Sequence, residues 1–160
     1  MTKADGSHTI GIDLGGTKVA GVCIGRDGVV IARDRTSSRP TRGAEAVAET
    51  VATMVRTLSA AAPGTITGVG IGVAGQVDSE RGVVRHAPNL RWHEYPLGER
   101  IAEATGQRVA VLNDVQAATF GEWSYGAARG FAEAVCVFIG TGVGGGIITG
   151  GRLLRGTSGA

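Results

Sequence analysis

Residues 10–20, with the sequence IGIDLGGTKVA, limit the possible folds of this chain more than any other stretch. An apolar run enters the stretch, Asp13 and two adjacent glycines interrupt it, and a second apolar run leaves it, which predicts a β-hairpin with a tight turn. Adjacent glycines let backbone N–H groups approach an anion without a Cβ in the way. Thr17 and Lys18 add a hydroxyl and a cation at the tip, and Asp13 can hold a hydrated Mg²⁺. The stretch therefore predicts a phosphate-binding hairpin, with an ordinary Gly-Gly hairpin turn as the alternative.

Glycine content sets this chain apart from an average protein. It has 28 glycines in 160 residues, more than twice the average share of about 7%. They cluster at 15–16, 68–75 and 140–151, so the excess belongs to particular loops and has no collagen-like period. An apolar share of 42% and a charged share of 19% are typical of a globular protein. The net charge of +2 is too small to indicate a nucleic acid or an anionic membrane as a partner.

The sequence also predicts a cytoplasmic location. Cys23 and Cys136 lie in apolar runs without CxxC or Cys/His spacing, which is typical of buried, reduced thiols. Residues 1–8 contain no apolar segment, so no signal peptide is expected. The weakly polar run at 131–148 contains Glu133 and several glycines, so no membrane span is expected there.

Beyond the first hairpin, the spacing of apolar residues predicts strands that alternate with helices. Further strands are predicted at 28–35, 65–73, 108–112 and 134–139, helices at 43–61, 97–105 and 115–125, and loops at 76–82 and 88–92. The order βββαβαβα is typical of an α/β fold in which helices connect parallel strands. Binding residues in such folds lie at the carboxyl ends of the strands, where Asp13, Gly75 and Asp114 fall.

The pattern of strand, glycine turn and strand occurs twice in the chain. Its second copy has a strand at 134–139, a glycine-rich turn at 140–146 and the start of a return strand at 147–149. A long internal repeat suggests two similar domains that face each other. Only the first hairpin of the second copy lies within the 160 residues.

Three stretches together resemble the signature motifs of the ROK family, which contains the bacterial-type glucokinases, related sugar kinases and some transcriptional repressors within the actin-like ATPase superfamily. They are DLGGTK at 13–18, LNDVQAA at 112–118 and IGTGVGGG at 139–146, and the resemblance extends to PNLRW at 88–92 and GTSGA at 156–160. The resemblance implies an actin-like ATPase (ribonuclease H-like) domain with a mixed sheet of βββαβαβ order and flanking helices, plus the first hairpin of a second similar domain. The implied divisions are an amino-terminal sugar-binding lobe at 1–113, a connecting helix at 114–130 and the incomplete start of a second lobe at 131–160.

The resemblance also assigns roles to site residues. Asp114 matches the family's catalytic base, which accepts the proton of a sugar hydroxyl during attack on the γ-phosphate of ATP. The residues implied to bind the ATP phosphates are Gly11, Asp13, Gly15, Gly16, Thr17, Lys18, Thr141, Gly142, Gly144, Gly145 and Gly146. Those implied to bind the sugar are Ala74, Gly75, Asn89, Leu90, Asn113 and Asp114. Without the family match, an Asp between a strand and a helix is more often an N-cap, and Trp92 beside Asn89 can equally pack in the core.

The function that the resemblance implies is ATP-dependent phosphorylation of a hexose, with glucose at its 6-hydroxyl as the first candidate. The implied cofactors are ATP and Mg²⁺, the latter near Asp13. The alternatives are a sugar-responsive ROK-type transcriptional regulator and an inactive fragment that binds sugar or nucleotide. The regulator is disfavoured because the first hairpin begins only about ten residues from Met1, which leaves no room for a helix-turn-helix ahead of it. The motifs do not choose among hexoses, or between ATP and polyphosphate as donor.

One part of the family pattern is not present. In the family, a Gly-Glu-Ile-Gly-His stretch that binds the sugar, and in many members a structural zinc, follows the position of Ala160. His8, His86 and His93 do not occupy those positions, so they are predicted to be surface or loop histidines, and no metal other than nucleotide-bound Mg²⁺ is expected. Residues 131–160 are expected to need further chain or a swapped partner, and the full-length protein is expected to be a homodimer without nucleic acid or membrane partners.

Overall fold

The computed structural model describes residues 6–139 and 142–156. In chain order the strands are β1 (Ser7–Leu14), β2 (Lys18–Gly25), β3 (Val30–Ser37), β4 (Thr65–Val73), β5 (Gln76–Asp78), β6 (Val83–Ala87), β7 (Trp92–Tyr95), β8 (Val109–Asn113), β9 (Ala134–Ile139), β10 (Val143–Thr149) and β11 (Arg152–Leu153). The helices are α1 (Ala44–Ala61), α2 (Leu97–Thr105) and α3 (Asp114–Tyr125), with 3₁₀ turns at Pro40–Arg42 and Pro88–Leu90. The predicted α/β class is confirmed.

The largest sheet contains five strands in the order β3-β2-β1-β4-β8. β1, β2 and β3 form an antiparallel meander, while β4 pairs parallel to β1 and β8 pairs parallel to β4. Parallel neighbours need long crossovers, which here contain α1 and α2. The predicted mixed sheet with flanking helices is therefore present, and the carboxyl ends of β1, β4 and β8 share one edge.

The main core lies between this sheet and α1. Apolar residues recur along α1 at three- and four-residue spacing, and those on that face, from Val47 to Leu58, are buried. They face β1, where Ile10 and Leu14 are fully buried because alternate residues of a strand point to one side. Gly21 of β2 permits the close approach, since a methyl group there would lie 2.7 Å from Leu58 Cδ1.

A small antiparallel sheet, β5-β6-β7, follows β4 and differs from the prediction. The segments 76–82 and 88–92 were expected to be loops, but β5 lies in the first, and a 3₁₀ turn and the start of β7 lie in the second. These strands are too short to show a clear alternation of polar and apolar residues, and one side of them is exposed. The other side joins the core through Val77, Val84 and Trp92.

The second glycine-rich hairpin also differs from the prediction. β10 begins at Val143, so Gly144, Gly145 and Gly146 lie inside a strand and pair with residues of β9. A run of glycines was expected to form a turn, yet strand pairing and packing on α3 hold it extended. β9, β10 and β11 form a separate three-stranded sheet.

Two smaller differences concern single residues. His8 was expected at the surface or in a loop, but it is buried in β1 because it shares the inward face with Ile10. His86 and His93 are exposed, as expected, although both lie in strands rather than loops. Cys23 is buried, whereas Cys136 is only half-buried. In the described part of the chain, no helix is long and apolar enough to cross a membrane.

Candidate active site

The candidate site lies where β1, β4 and β8 end. Gly72 of β4 pairs with Asp13 on one side and with Leu112 on the other, so the three strands finish at nearly the same level. This arrangement places Asp13, Gly75 and Asp114 at one edge of the sheet, as the sequence predicts. A methyl group on Gly72 would lie 3.4 Å from Asp114 Cα, so β4 and the start of α3 are in van der Waals contact.

The turn of the first hairpin, residues 15–17, is held by backbone hydrogen bonds. Gly15 N donates to Lys18 O (3.0 Å), and Ser38 N donates to Thr17 O (3.1 Å). Ser37 Oγ also donates to Thr17 O (3.3 Å). The side chains of Thr17 and Lys18 are exposed at the tip. The turn is thus pre-organised, and its hydroxyl and ammonium groups face solvent.

Ser37 and Ser38 belong to the site in a way that sequence reasoning missed. Ser37 is the exposed last residue of β3, Ser38 follows it and is buried, and neither is part of a recognised motif. Only the pairing of β3 with β2 brings them to the turn, where they hold the Thr17 carbonyl. The observation that could have indicated them is the pairing of the third strand with the second, which places Ser37 opposite Lys18.

The same turn contacts the Pro88–Leu90 segment. A methyl group on Gly16 would lie 2.7 Å from Asn89 Cβ and 3.1 Å from Asn89 O. The predicted phosphate-binding turn therefore packs directly on a predicted sugar-binding residue. Asn89 is exposed, whereas the Leu90 side chain is buried, so only the Leu90 backbone can face a ligand.

Asp13 lies at the end of β1, where it is exposed to solvent but partly desolvated by its neighbours. This desolvation raises the pKa of the Asp13 carboxyl, the positive charge of Lys18 lowers it in part, and the negative charge of Asp114 raises it further. Two nearby carboxylates attract a cation. Within residues 6–139 and 142–156, no group of three or more His, Cys, Asp or Glu can hold a metal. A Mg²⁺ ion that keeps its waters and binds nucleotide phosphates needs only one or two carboxylates, and Asp13 fits that requirement.

Asn113 and Asp114 connect β8 to α3. The N-cap of α3 is Asn113 and not Asp114: Asn113 Oδ1 accepts hydrogen bonds from Val115 N (3.0 Å) and Gln116 N (3.1 Å). Asn113 Nδ2 donates to Gly75 O (3.0 Å) and to Asp114 Oδ1 (3.0 Å). Asp114 is the first residue of the helix, and its Oδ1 also accepts from Val115 N (2.9 Å).

Ala74 and Gly75 connect β4 to the small sheet. Both are half-buried, and the Gly75 carbonyl accepts the Asn113 bond described above. A methyl group on Gly75 would lie 2.9 Å from Ala87 Cβ, so only a glycine allows this close approach of β6. The two residues therefore line the same edge as Asp114 mainly through their backbone.

The second glycine-rich stretch contains predicted phosphate-binding residues before and within β10. Thr141 lies outside the described residues, and Gly142 is exposed just before β10. Gly144 and Gly146 pack on α3, and a methyl group on Gly144 would lie 2.7 Å from Val115 Cγ2. Packing therefore accounts for these two glycines without any ligand. Gly11 is likewise inside β1, paired with Val22 and Gly70, and the structure does not bring it to the turn.

Comparison with known proteins identifies the group to which this arrangement belongs. The profile of the ROK family matches residues 9–160. The chain belongs to the ROK family. The match covers all three motifs, including the Asn113 and Asp114 pair, and confirms the family that the sequence predicts.

Individual ROK proteins resemble the chain over nearly all of its length. It is 38% identical over 148 residues to the glucokinase of Streptomyces coelicolor, covering 92% of this chain and 45% of that enzyme. It superimposes with a TM-score of 0.86 and 38% identity on the ROK family glucokinase from Streptomyces griseus in complex with glucose and AMPPNP, covering 95% of this chain and 47% of that one. A ROK family transcriptional regulator, a homologue of the E. coli MLC protein, gives a TM-score of 0.84 at 26% identity, with 99% of this chain and 41% of that one covered.

These comparisons fix the fold and its extent. The actin-like fold of the ROK glucokinases is confirmed for this chain. The chain spans less than half the length of the ROK relatives described above. Enzymes and a regulator share the fold, so the family alone does not decide the activity.

Proposed function

We propose that this chain is the amino-terminal part of a ROK sugar kinase that transfers the γ-phosphoryl group of ATP to a hexose hydroxyl, with glucose at its 6-hydroxyl as the first candidate. The observation that carries the proposal is the position of Asp13, Gly75 and Asp114 at one sheet edge beside the turn at 15–17. The similarity to a glucokinase that binds glucose and AMPPNP supports it. The fold alone would not support a kinase function, because one fold serves many functions.

Asp114 is the proposed general base. A sugar hydroxyl is a weak nucleophile, and a carboxylate that accepts its proton during in-line attack on phosphorus is worth about 10²–10⁴-fold in rate. Asp114 Oδ1 is occupied by two N–H donors, and in the described part of the chain no group donates to Oδ2. Oδ2 is therefore the oxygen left to take the proton.

The turn at 15–17 is the proposed site for the ATP phosphates. Its backbone, the Thr17 hydroxyl and the Lys18 ammonium group are presented at the tip, where they can stabilise negative charge that develops on the transferred phosphoryl group. Mg²⁺ held near Asp13 would neutralise phosphate charge. Residues 140–142, which precede β10, are the proposed second contact with the phosphates.

A sugar-responsive regulator is the second candidate. The specific observation in its favour is that the ROK regulator structure covers 99% of this chain at a TM-score of 0.84. A regulator would use the same edge of the sheet to bind a sugar without transferring phosphate. Binding and turnover must therefore be measured separately.

The test is phosphoryl transfer from ATP and from polyphosphate to a panel of hexoses and N-acetylhexosamines. It uses the 160-residue chain and the same chain continued past Ala160 with the second half of the Streptomyces coelicolor glucokinase, called here the extended kinase. We expect turnover by the extended kinase and a loss of about 10²–10⁴-fold in kcat for Asp114→Asn. Asp27→Asn, in the exposed turn between β2 and β3, is the matched control and should retain activity.

The outcomes separate the two functions. Turnover that depends on Asp114 supports the kinase, and the identity of the best substrate names the hexose. Sugar binding without turnover, equal in the parent and in Asp114→Asn, would support the regulator and leave the Asp114 carboxylate as a contact of the helix start.

A further inference from the structure

The side-chain amide of Asn113 uses its full hydrogen-bonding capacity within the protein. An amide oxygen accepts two hydrogen bonds and an amide nitrogen donates two. In Asn113 the oxygen accepts from Val115 N and Gln116 N, and the nitrogen donates to Gly75 O and Asp114 Oδ1, all at 3.0–3.1 Å. The amide is thus shared among the end of β4, the start of α3 and the proposed base.

The donors and acceptors around Asn113 allow only one orientation of its side-chain amide. Turning it over would direct the NH₂ group at two backbone N–H donors and the oxygen at a carbonyl and a carboxylate. Each of the four contacts would then be repulsive. The donors and acceptors around Asn113 therefore define its orientation, and through it the orientation of the Asp114 carboxylate.

From these contacts we infer that Asn113 is a positioning residue, which holds Asp114 Oδ1 so that Oδ2 faces the hydroxyl to be phosphorylated. The inference rests on the proposed kinase function and deepens it. Asp114 Oδ1 is fixed by two N–H groups, one from Asn113 and one from Val115. The bond from Nδ2 to Gly75 O ties this arrangement to the strand beside it, so the carboxylate is oriented by two elements at once.

The decisive variant keeps the helix cap and removes the donors. Ser at an N-cap position accepts the same backbone hydrogen bonds as Asn, but it has no NH₂ group to reach Gly75 O or Asp114. Asn113→Ser therefore isolates the positioning bonds. Asn113→Asp serves as a second variant, because it has nearly the shape of Asn, retains both accepted bonds and also lacks the donors.

The first readout needs no catalysis. Three-bond NMR couplings between Hα and Hβ of Asp114 in the 160-residue chain report how its χ1 rotamers are populated. We expect one rotamer in the parent and averaged couplings in Asn113→Ser and Asn113→Asp, while thermal unfolding shows that both variants are folded. A single unchanged Asp114 rotamer in both variants would overturn the inference.

The second readout is kinetic and uses the extended kinase. We expect Asn113→Ser to lower kcat at saturating sugar about 10–100-fold, because the positioning bonds act on the reaction step and their loss is not recovered by saturating the site. In an Asp114→Asn background the same substitution should have no further effect on kcat. A loss of sugar affinity with kcat at saturation unchanged would instead make Asn113 a sugar ligand, as the family resemblance implies.

Failure of this inference is distinguishable from failure of the proposed function. Absence of turnover in the unsubstituted extended kinase bears on the kinase proposal, and the NMR couplings still test the positioning role in the chain itself. Turnover that depends on Asp114 but is unaffected by Asn113→Ser would defeat the positioning role and leave the kinase proposal intact.

Discussion

Asp13 lies where neighbouring groups act on its charge in opposite directions. Asp13 is exposed at the end of β1, yet partial desolvation of its carboxyl favours the neutral form, Lys18 favours the charged form and Asp114 the neutral form, and the net result is a raised pKa. A carboxyl with a higher pKa in the folded chain than in the unfolded chain costs stability when it ionises. Such a cost is typical of a residue that serves binding rather than folding.

We expect Asp13→Asn to raise the free energy of unfolding at neutral pH by a small amount, because Asp13 is exposed and water screens the charges around it. The stabilising contribution of Asp13 is fully present below the ordinary carboxyl pKa of 3.8 and is lost as pH rises through the raised pKa of the folded chain. The advantage of the variant should therefore grow across that range and vanish in more acid solution. Urea denaturation across this pH range, with Asp27→Asn as control, measures it. A variant less stable than the parent at neutral pH would contradict the expectation.

Gly16 joins two parts of the site at a single contact. A methyl group there would meet Asn89 Cβ at 2.7 Å, so Gly16→Ala must separate the turn at 15–17 from the Pro88–Leu90 segment. We expect a loss of about 1–3 kcal/mol in the free energy of unfolding, and weaker binding of both ATP and sugar in the extended kinase. Gly121→Ala is the control, because nothing lies within 4 Å of a methyl group there. Denaturant titration and the two KM values give the comparison, and a change in the KM for ATP alone would show that the contact does not connect the two sites.

At the scale of elements, the packing of β10 on α3 depends on glycines placed every second residue. Gly144 and Gly146 lie on the strand face toward α3, opposite Val115 and Thr119, and neither position has room for a Cβ. Gly145, between them, is exposed. The glycine-rich motif therefore has a packing function in addition to its proposed phosphate contact.

We expect Gly146→Ala to destabilise the chain by about 1–3 kcal/mol, because the new methyl group overlaps Thr119. Thr119→Ala in the same chain removes Oγ1 and Cγ2 and should recover part of the loss. Gly145→Ala, whose methyl group would lie 3.2 Å from Cys136 O, should cost less. Chemical denaturation of the single and double variants tests this. Equal losses for Gly145→Ala and Gly146→Ala would exclude packing on α3 as the cause.

At the scale of the whole molecule, the sheet of β9, β10 and β11 has one covered face and one open face. Its inner face packs on α3, where Ile148 is buried. The outer face is apolar and exposed between 42% and 83% at Val135, Val137, Ile139, Val143 and Ile147. Exposed apolar strands of this kind favour association.

We expect the 160-residue chain to self-associate as its concentration rises. Replacing Val135, Val137 and Val143 by threonine keeps the strand propensity, removes apolar surface and should shift the chain toward the monomer. The same number of replacements on the exposed side of α1, at Thr53, Thr57 and Ala60 to serine, is the control. Light scattering after gel filtration gives the mass. A parent that stays monomeric at every concentration would contradict this expectation.

Local patterns predicted the parts of the fold that depend on near neighbours along the chain. α1 was predictable because its apolar residues recur at helical spacing, and the first hairpin because two apolar runs flank Gly15 and Gly16. His8 was not, because its burial follows from strand pairing and not from its polarity. Likewise, β5, β6 and β7 are too short to show a recognisable alternation of polar and apolar residues. They form only by pairing with one another and packing on the core.

The sequence by itself determined the family, the mixed α/β fold and the residues at the sheet edge, because motifs and periodicity are properties of the chain read in order. Tertiary structure decided how those residues are used. It gave the N-cap of α3 to Asn113, brought Ser38 to the Thr17 carbonyl, and placed Gly146 against Thr119. Each of these depends on atoms brought within about 3 Å of each other by packing of distant segments, and no local pattern of residues encodes such distances.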